Sequence, residues 1–266
     1  MIKYIYTRMG VYGYMKNSKW NGKNVLVVGD SLTSDGRWQK RFSELTGANI
    51  ETHAYGGLGI IEIIDGKTAS ADKSVCYDPI TGTGFEFGPL TKEKIGWADL
   101  VILLMGYNER HIEYGERGDM YPEKATLHGK YAYALEKIYS FIEESGNHNL
   151  HIMLVCPHCV GKYDWINVDG YGEFPEGSGR SLETMAEAVK DIAAYHNLPC
   201  YDAWHNSGIN RFTWKYFANS PTAIKEDYDP SKEYIAPYPQ YADQAHLNAA
   251  GYARIGECIA AAAELA

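Results

Sequence analysis

The chain contains no run of about 18 consecutive apolar residues, so no helix able to cross a membrane is expected. Its first residues, MIKYIYTRMGVYGYM, lack the continuous apolar stretch and small-residue cleavage site of a secretory signal. A cytoplasmic location is the corresponding expectation. Basic residues are in the minority: 25 Lys and Arg stand against 34 Asp and Glu, for a formal charge of −9. That balance leaves no electrostatic footprint for nucleic acid or an anionic lipid surface. Cysteine is sparse and odd in number. Cys76, Cys156, Cys159, Cys200 and Cys258 are scattered through the chain and make no disulfide framework, which favours a reducing compartment. Internal repeats and low-complexity linkers are absent as well. What remains is an ordinary globular composition, 45% hydrophobic and 22% charged over 266 residues, enough for one large α/β domain.

Periodicity divides the chain into alternating elements. Asn24 to Val28 is a short apolar run that suits a strand buried on both faces. Trp38, Phe42 and Leu45 recur at spacings of four and three, the mark of a helix with one apolar face, and Gly47 supplies its stop. Strands are predicted at 49–54, 100–105, 151–155 and 199–203, and helices at 123–144, 182–196 and 248–265. Five strands alternating with helices imply βαβ units and a mainly parallel sheet covered on both faces. Residues 1–20 show no clear period and read as an N-terminal extension, with the domain proper at 21–266. Two segments, about 62–97 and 204–242, break the alternation. Long irregular segments of that kind are usually functional loops, and in an open α/β sheet they gather at the carboxyl ends of the strands.

Four short blocks carry residues suited to chemistry. Gly29-Asp30-Ser31-Leu32 follows the first strand and precedes a helix, which places a hydroxyl beside free N–H groups and the positive end of a helix dipole. The same residues also suit a plain helix cap. Tyr55-Gly56-Gly57-Leu58-Gly59 follows the second strand, and its glycines let backbone approach a ligand closely. Gly106-Tyr107-Asn108-Glu109 follows the 100–105 strand, where the Asn side chain can donate to a developing oxyanion. Asp243-Gln244-Ala245-His246 leads into the last helix, a spacing that supplies a base and the carboxylate that orients it. Each block alone has a bland alternative as a turn or a cap.

Taken in order, GDSL, a Gly-rich turn, Gly-x-Asn and Asp-x-x-His resemble the blocks of the SGNH (GDSL-type) hydrolases, from residue 29 to beyond 250. The resemblance implies a three-layer α/β/α sandwich with a flavodoxin-like, mainly parallel five-stranded sheet. It implies Ser31 as nucleophile, with Asp243 and His246 completing a triad. The oxyanion hole it implies is formed by the Ser31 N–H, the Gly59 N–H and the Asn108 side chain, with Asp30, Gly57 and Gly106 in support. No metal or organic cofactor is required. The sequence departs from the family pattern in three places. Glu109 stands where Asp is usual, and Ala54 where Asn is frequent. In the second block the usual Gly-x-x-Gly spacing selects Gly56 and Gly59, while Gly57 is a rival. Glu109, Arg110 and His111 read as solvated loop residues.

Two further features compete for a role. Cys156-Pro157-His158-Cys159 has the Cys-x-x-Cys spacing of a redox site, but loop residues follow it where a helix should open. Trp204, Trp214, Tyr216, Phe217, Tyr228, Tyr234, Tyr238 and Tyr241 crowd the segment before the Asp-x-x-His block. Flat amphipathic rings make good walls for sugar faces, though aromatics also simply pack long loops. The expected activity is a serine esterase acting on short-chain, above all acetyl, esters of carbohydrate or a related small molecule. A lipid- or thioester-directed acyl hydrolase on the same triad, and a non-catalytic glycan-binding module, are the alternatives.

Overall fold

The structure, a computed structural model, describes residues 18–68, 86–160, 180–219 and 245–266. Five strands form one parallel sheet in the order β2 (Asn49–Ala54), β1 (Asn24–Gly29), β5 (Leu100–Leu104), β6 (His151–Val155) and β7 (Cys200–Tyr201). A two-residue hairpin, β3 (Lys67–Thr68) with β4 (Glu86–Phe87), stands apart. The register is continuous: Val25 to Gly29 face Leu100 to Leu104 on one side, and Asn24 to Gly29 face Asn49 to Ala54 on the other. Every residue of β5 is buried, which is why its sequence is an unbroken apolar run rather than an alternating one.

Helices cover both faces. The first-turn helix α1 (Ser31–Ser34) leads into α2 (Arg37–Thr46), which packs against the last helix α9 (Ala249–Ala263). The helices α3 (Ile60–Asp65), α4 (Lys92–Trp97), α5 (Leu127–Ser145) and α6 (Leu182–Tyr195) pack in succession, α3 and α4 on α5 and α5 on α6. Right-handed crossovers put the β1–β2 connection on one face and the later ones on the other. The strand order therefore reverses between β1 and β5, and a topological switch point opens at their carboxyl ends.

The expected three-layer, flavodoxin-like architecture is what the structure has. Strand β7 is shorter than the expected 199–203, and three further readings change. Helix α5 begins at Leu127 rather than 123, because Thr126 caps it by accepting the Gly129 N–H at 3.1 Å. The segment 62–97, expected to be irregular, contains part of α3, the hairpin and α4 among its described residues. Trp20, assigned to the extension, belongs to the folded unit: it is buried, and its indole N–H donates to the Ala263 carbonyl at 2.9 Å. Two short helices, α7 (Ala203–Asn206) and α8 (Trp214–Phe217), lie in the second long connection.

Candidate active site

Three turns meet at the carboxyl edge of the sheet. The first follows β1. Gly29 is needed there by close approach, since a Cβ would collide with the Leu104 carbonyl oxygen and the Thr33 hydroxyl. Asp30 is the N-cap of α1, its Oδ1 accepting the Leu32 N–H at 3.0 Å. Its Oδ2 accepts the Tyr107 N–H at 3.1 Å, which ties the β1 turn to the β5 turn. Asp30 is fully buried, and that desolvation holds its carboxyl up at about 6, with the Glu109 charge adding to the rise. The Leu32 and Tyr107 N–H groups and His246 pull the other way. Asp30 caps, and the half-buried Ser31 opens the helix as its first residue.

The second turn follows β2. A Cβ built on Gly56 would lie 3.6 Å from the Ser31 Cβ, so Gly56 is the glycine seated against the serine. Gly57, at φ +80°, makes the turn. Gly59 is engaged elsewhere: it is the N-cap of α3, and its N–H donates to Glu62 Oε2 at 2.6 Å. The N–H expected from Gly59 in the oxyanion hole is therefore spent on a capping interaction. Gly56 is the residue of the block that reaches Ser31.

The third turn follows β5. Gly106 bends the chain at φ +102°, and Tyr107 to Glu109 form a 3-10 turn. Asn108 Nδ2 donates to the Leu58 carbonyl at 2.9 Å, joining the third turn to the second. Among the described residues the other hydrogen of this amide has no acceptor and can serve a second one. Glu109, read from sequence as solvated, is only 2% exposed. Its Oε1 accepts the Ile60 N–H at 3.0 Å and the Lys130 ammonium at 3.1 Å. Burial pushes its carboxyl up, and Lys130 works against that rise. Nothing in the local sequence signals the burial, because Lys130 lies 21 residues away on α5.

The fourth block is described from Ala245 onward; Asp243 lies outside the described residues. His246 is half-buried and close enough to Asp30 to favour its ionised form electrostatically. Its backbone is fixed on the α8 side: its carbonyl accepts the Asn219 N–H at 2.9 Å, and Leu247 pairs with Ala218. Asn248 caps α9 through the Gly251 N–H at 2.9 Å and donates Nδ2 to the Tyr216 carbonyl at 2.9 Å. Tyr228, Tyr234, Tyr238 and Tyr241 lie outside the described residues.

The competing cysteines are inert. Cys156 and Cys159 are buried free thiols, Cys156 bonded to the Ala186 carbonyl and in contact with Cys200 Sγ at 3.6 Å. The Cys200 contact and burial push the Cys156 thiol up, and burial takes that of Cys159 to about 12. Neither supplies a thiolate at neutral pH. Sequence reasoning overlooked a second Asp-x-x-His, Asp202 and His205, whose Oδ2 and Nδ1 stand 2.8 Å apart. It sits after β7, three strands and about 14 Å from β1, too far to serve Ser31. With Glu187 this pair is the one group among the described residues spaced to hold a metal ion, but Lys190 already bridges Glu187 and Asp202 at 2.7 and 3.0 Å.

No family model matches the sequence, and no curated protein matches it. Solved structures do match. A structure described as a possible lipase from Chitinophaga pinensis DSM 2588 superposes with a TM-score of 0.57 at 16% identity, over 90% of this chain and 96% of that one. A protein from Lactobacillus plantarum gives 0.53 at 13% identity, over 91% and 96%. A GDSL-like lipase from Bacteroides thetaiotaomicron VPI-5482 gives 0.44 at 13% identity, over 91% and 88%. At such identities the likeness is one of fold. The chain shares the three-layer α/β/α fold of the Chitinophaga pinensis and Lactobacillus plantarum structures.

Proposed function

We propose that the protein is a serine esterase with Ser31 as nucleophile. The observation that carries this reading is the joining of three turns around the serine, through the Asp30–Tyr107 and Asn108–Leu58 hydrogen bonds, at the switch point of the sheet. Asp30 takes the Leu32, Thr33 and Ser34 N–H groups, which leaves the Ser31 N–H as the donor beside the hydroxyl at the helix start. His246 takes the Ser31 proton as the oxygen attacks the ester carbonyl, and Asp243 holds the imidazole in the required tautomer. The developing oxyanion is received by the Ser31 N–H, an N–H of the Gly56–Gly57 turn and the free Asn108 amide hydrogen. His246 then protonates the departing alcohol. Water, deprotonated by the same imidazole, releases the acid from the acyl-enzyme. No step draws on a metal or an organic cofactor.

Short acyl groups, acetyl above all, on a carbohydrate alcohol are the proposed substrate. Support comes from the aromatic segment beside the base. Phe212 and Tyr216 are 83% and 64% exposed on the stretch whose backbone is bonded to His246 and Asn248. Such rings offer flat area with little entropy to lose. The name of the Chitinophaga pinensis neighbour, a possible lipase, is compatible with ester hydrolysis.

The test is hydrolysis of p-nitrophenyl acetate, butyrate and octanoate by the wild type and by Ser31→Ala, with burst kinetics. Turnover of the acetate, falling at least 10³-fold in the variant, is the expected result. Preference for octanoate would keep the mechanism and move the substrate to lipids. Unchanged activity in Ser31→Ala, or none in the wild type, would sink the catalytic assignment.

A further inference from the structure

We propose that Glu109 and Lys130 form a positioning pair that sets turnover by holding the oxyanion-side turns in register, without touching the ester. The proposal rests on the esterase reading above.

Adjacent residues of the third turn grip the second on either side of Gly59. Asn108 holds the Leu58 carbonyl, and Glu109 holds the Ile60 N–H. The second grip depends on Gly59 lacking a side chain, since a Cβ there would stand 2.5 Å from Glu109 Oε1. Helix α5 braces the same turn from behind at consecutive positions. Lys130 reaches Glu109 Oε1, and the Tyr131 hydroxyl donates to the Met105 carbonyl at 2.7 Å. Glu109 Oε2 is buried and has no hydrogen-bond partner among the described residues. A buried carboxylate left half-satisfied is costly, and it persists at a place where the turn it holds carries Asn108.

The charges that act on Glu109 besides Lys130 include Glu62 on α3; Glu109 in turn acts on Asp30 of the β1 turn, on which His246 acts with the opposite sign. Glu62 is itself neutralised by Lys67. The Glu109 charge raises the Asp30 carboxyl, so its removal lets Asp30 ionise at lower pH.

The experiment compares Glu109→Gln, Lys130→Met, Lys130→Arg and the double variant Glu109→Gln/Lys130→Met. Activity on p-nitrophenyl acetate is normalised to active sites by the burst, and the Asp30 carboxyl is followed by carbon-13 NMR titration. Glu109→Gln and Lys130→Met are expected to lose 10-fold or more in kcat per active site with KM within threefold. Lys130→Arg keeps wild-type kcat, and the double variant loses less than the product of the two single losses. The Asp30 titration moves to lower pH in Glu109→Gln. A merely structural role would reduce the folded fraction and leave kcat per site alone. Single variants within twofold of wild-type kcat per site, or losses that multiply in the double variant, overturn the proposal. Absence of esterase activity in the wild type defeats the esterase reading instead. The Asp30 titration then decides this coupling, and an unmoved titration refutes it.

Discussion

Asp30 shows what the site costs at the level of one residue. Buried completely and bonded to two N–H groups, its carboxyl stays near 6, above the ordinary aspartate value. A folded-state pKa above the unfolded one means that the folded protein binds the extra proton. Stability from this group therefore falls as pH rises from about 4 to about 6 and stays lower above that window. About 3 kcal/mol is the size of the effect for a shift of this extent. Wild type and Asp30→Asn should accordingly differ in a pH-dependent way. Calorimetry from pH 7 down to pH 4.5 should find the wild type gaining Tm relative to the variant as the buried carboxyl takes up its proton. A difference constant across that range would mean that Asp30 is not the strained acid described here. In activity the variant should lose 10-fold or more, since its amide has one acceptor oxygen for the two N–H groups of Leu32 and Tyr107, which loosens the cap or the link between the first and third turns.

At the scale of elements, rigidity comes from caps and short turns tied to long helices. Helix α5 carries both Lys130 and Tyr131, so the Thr126 cap at its start serves the site at one remove. Thr126→Ala should cost about 1 kcal/mol of stability, read as a lower denaturant midpoint with unchanged m. Its kcat should stay within threefold, because the braces lie inside the helix rather than at its end; a larger loss would place the cap itself in the catalytic frame. The elements differ in how plainly the sequence announces them. β1 and β5 are legible because strands buried on both faces must be apolar throughout, and α2 because Trp38, Phe42 and Leu45 share one face. Helices α3 and α4, at six residues each, are too short to display a period, and the isoleucines of α3 suit a strand equally well. Ser31, Asn108 and His246 were legible as candidate residues because their blocks are local. The burial of Glu109 and the diversion of the Gly59 N–H were not, because their causes lie across the fold: Lys130 in the first case, and in the second a helix start that periodicity did not reveal.

Across the whole molecule, strand order decides where chemistry collects. β1 has β2 on one side and β5 on the other, and the reversal of winding between β1 and β5 leaves their carboxyl ends uncovered by a crossover helix. Ser31 and Asn108 follow those two strands. The charge of the chain acts on the same place from a distance. At −9 the molecule projects a negative potential, which draws cations toward it and slows the approach of anions. Among acetyl esters matched in leaving group, kcat/KM should then be highest for a cationic alcohol and lowest for an anionic one. The gap should narrow as salt rises from about 10 mM to about 500 mM, where the screening length falls from roughly 30 Å to a few ångströms. Equal values at low salt would indicate that the local field at the turns outweighs the net charge, with Lys130 and Arg110 beside Glu109 and Asn108 as positive sources among the described residues. A gap that ignored salt would instead locate the discrimination in direct contacts within the site.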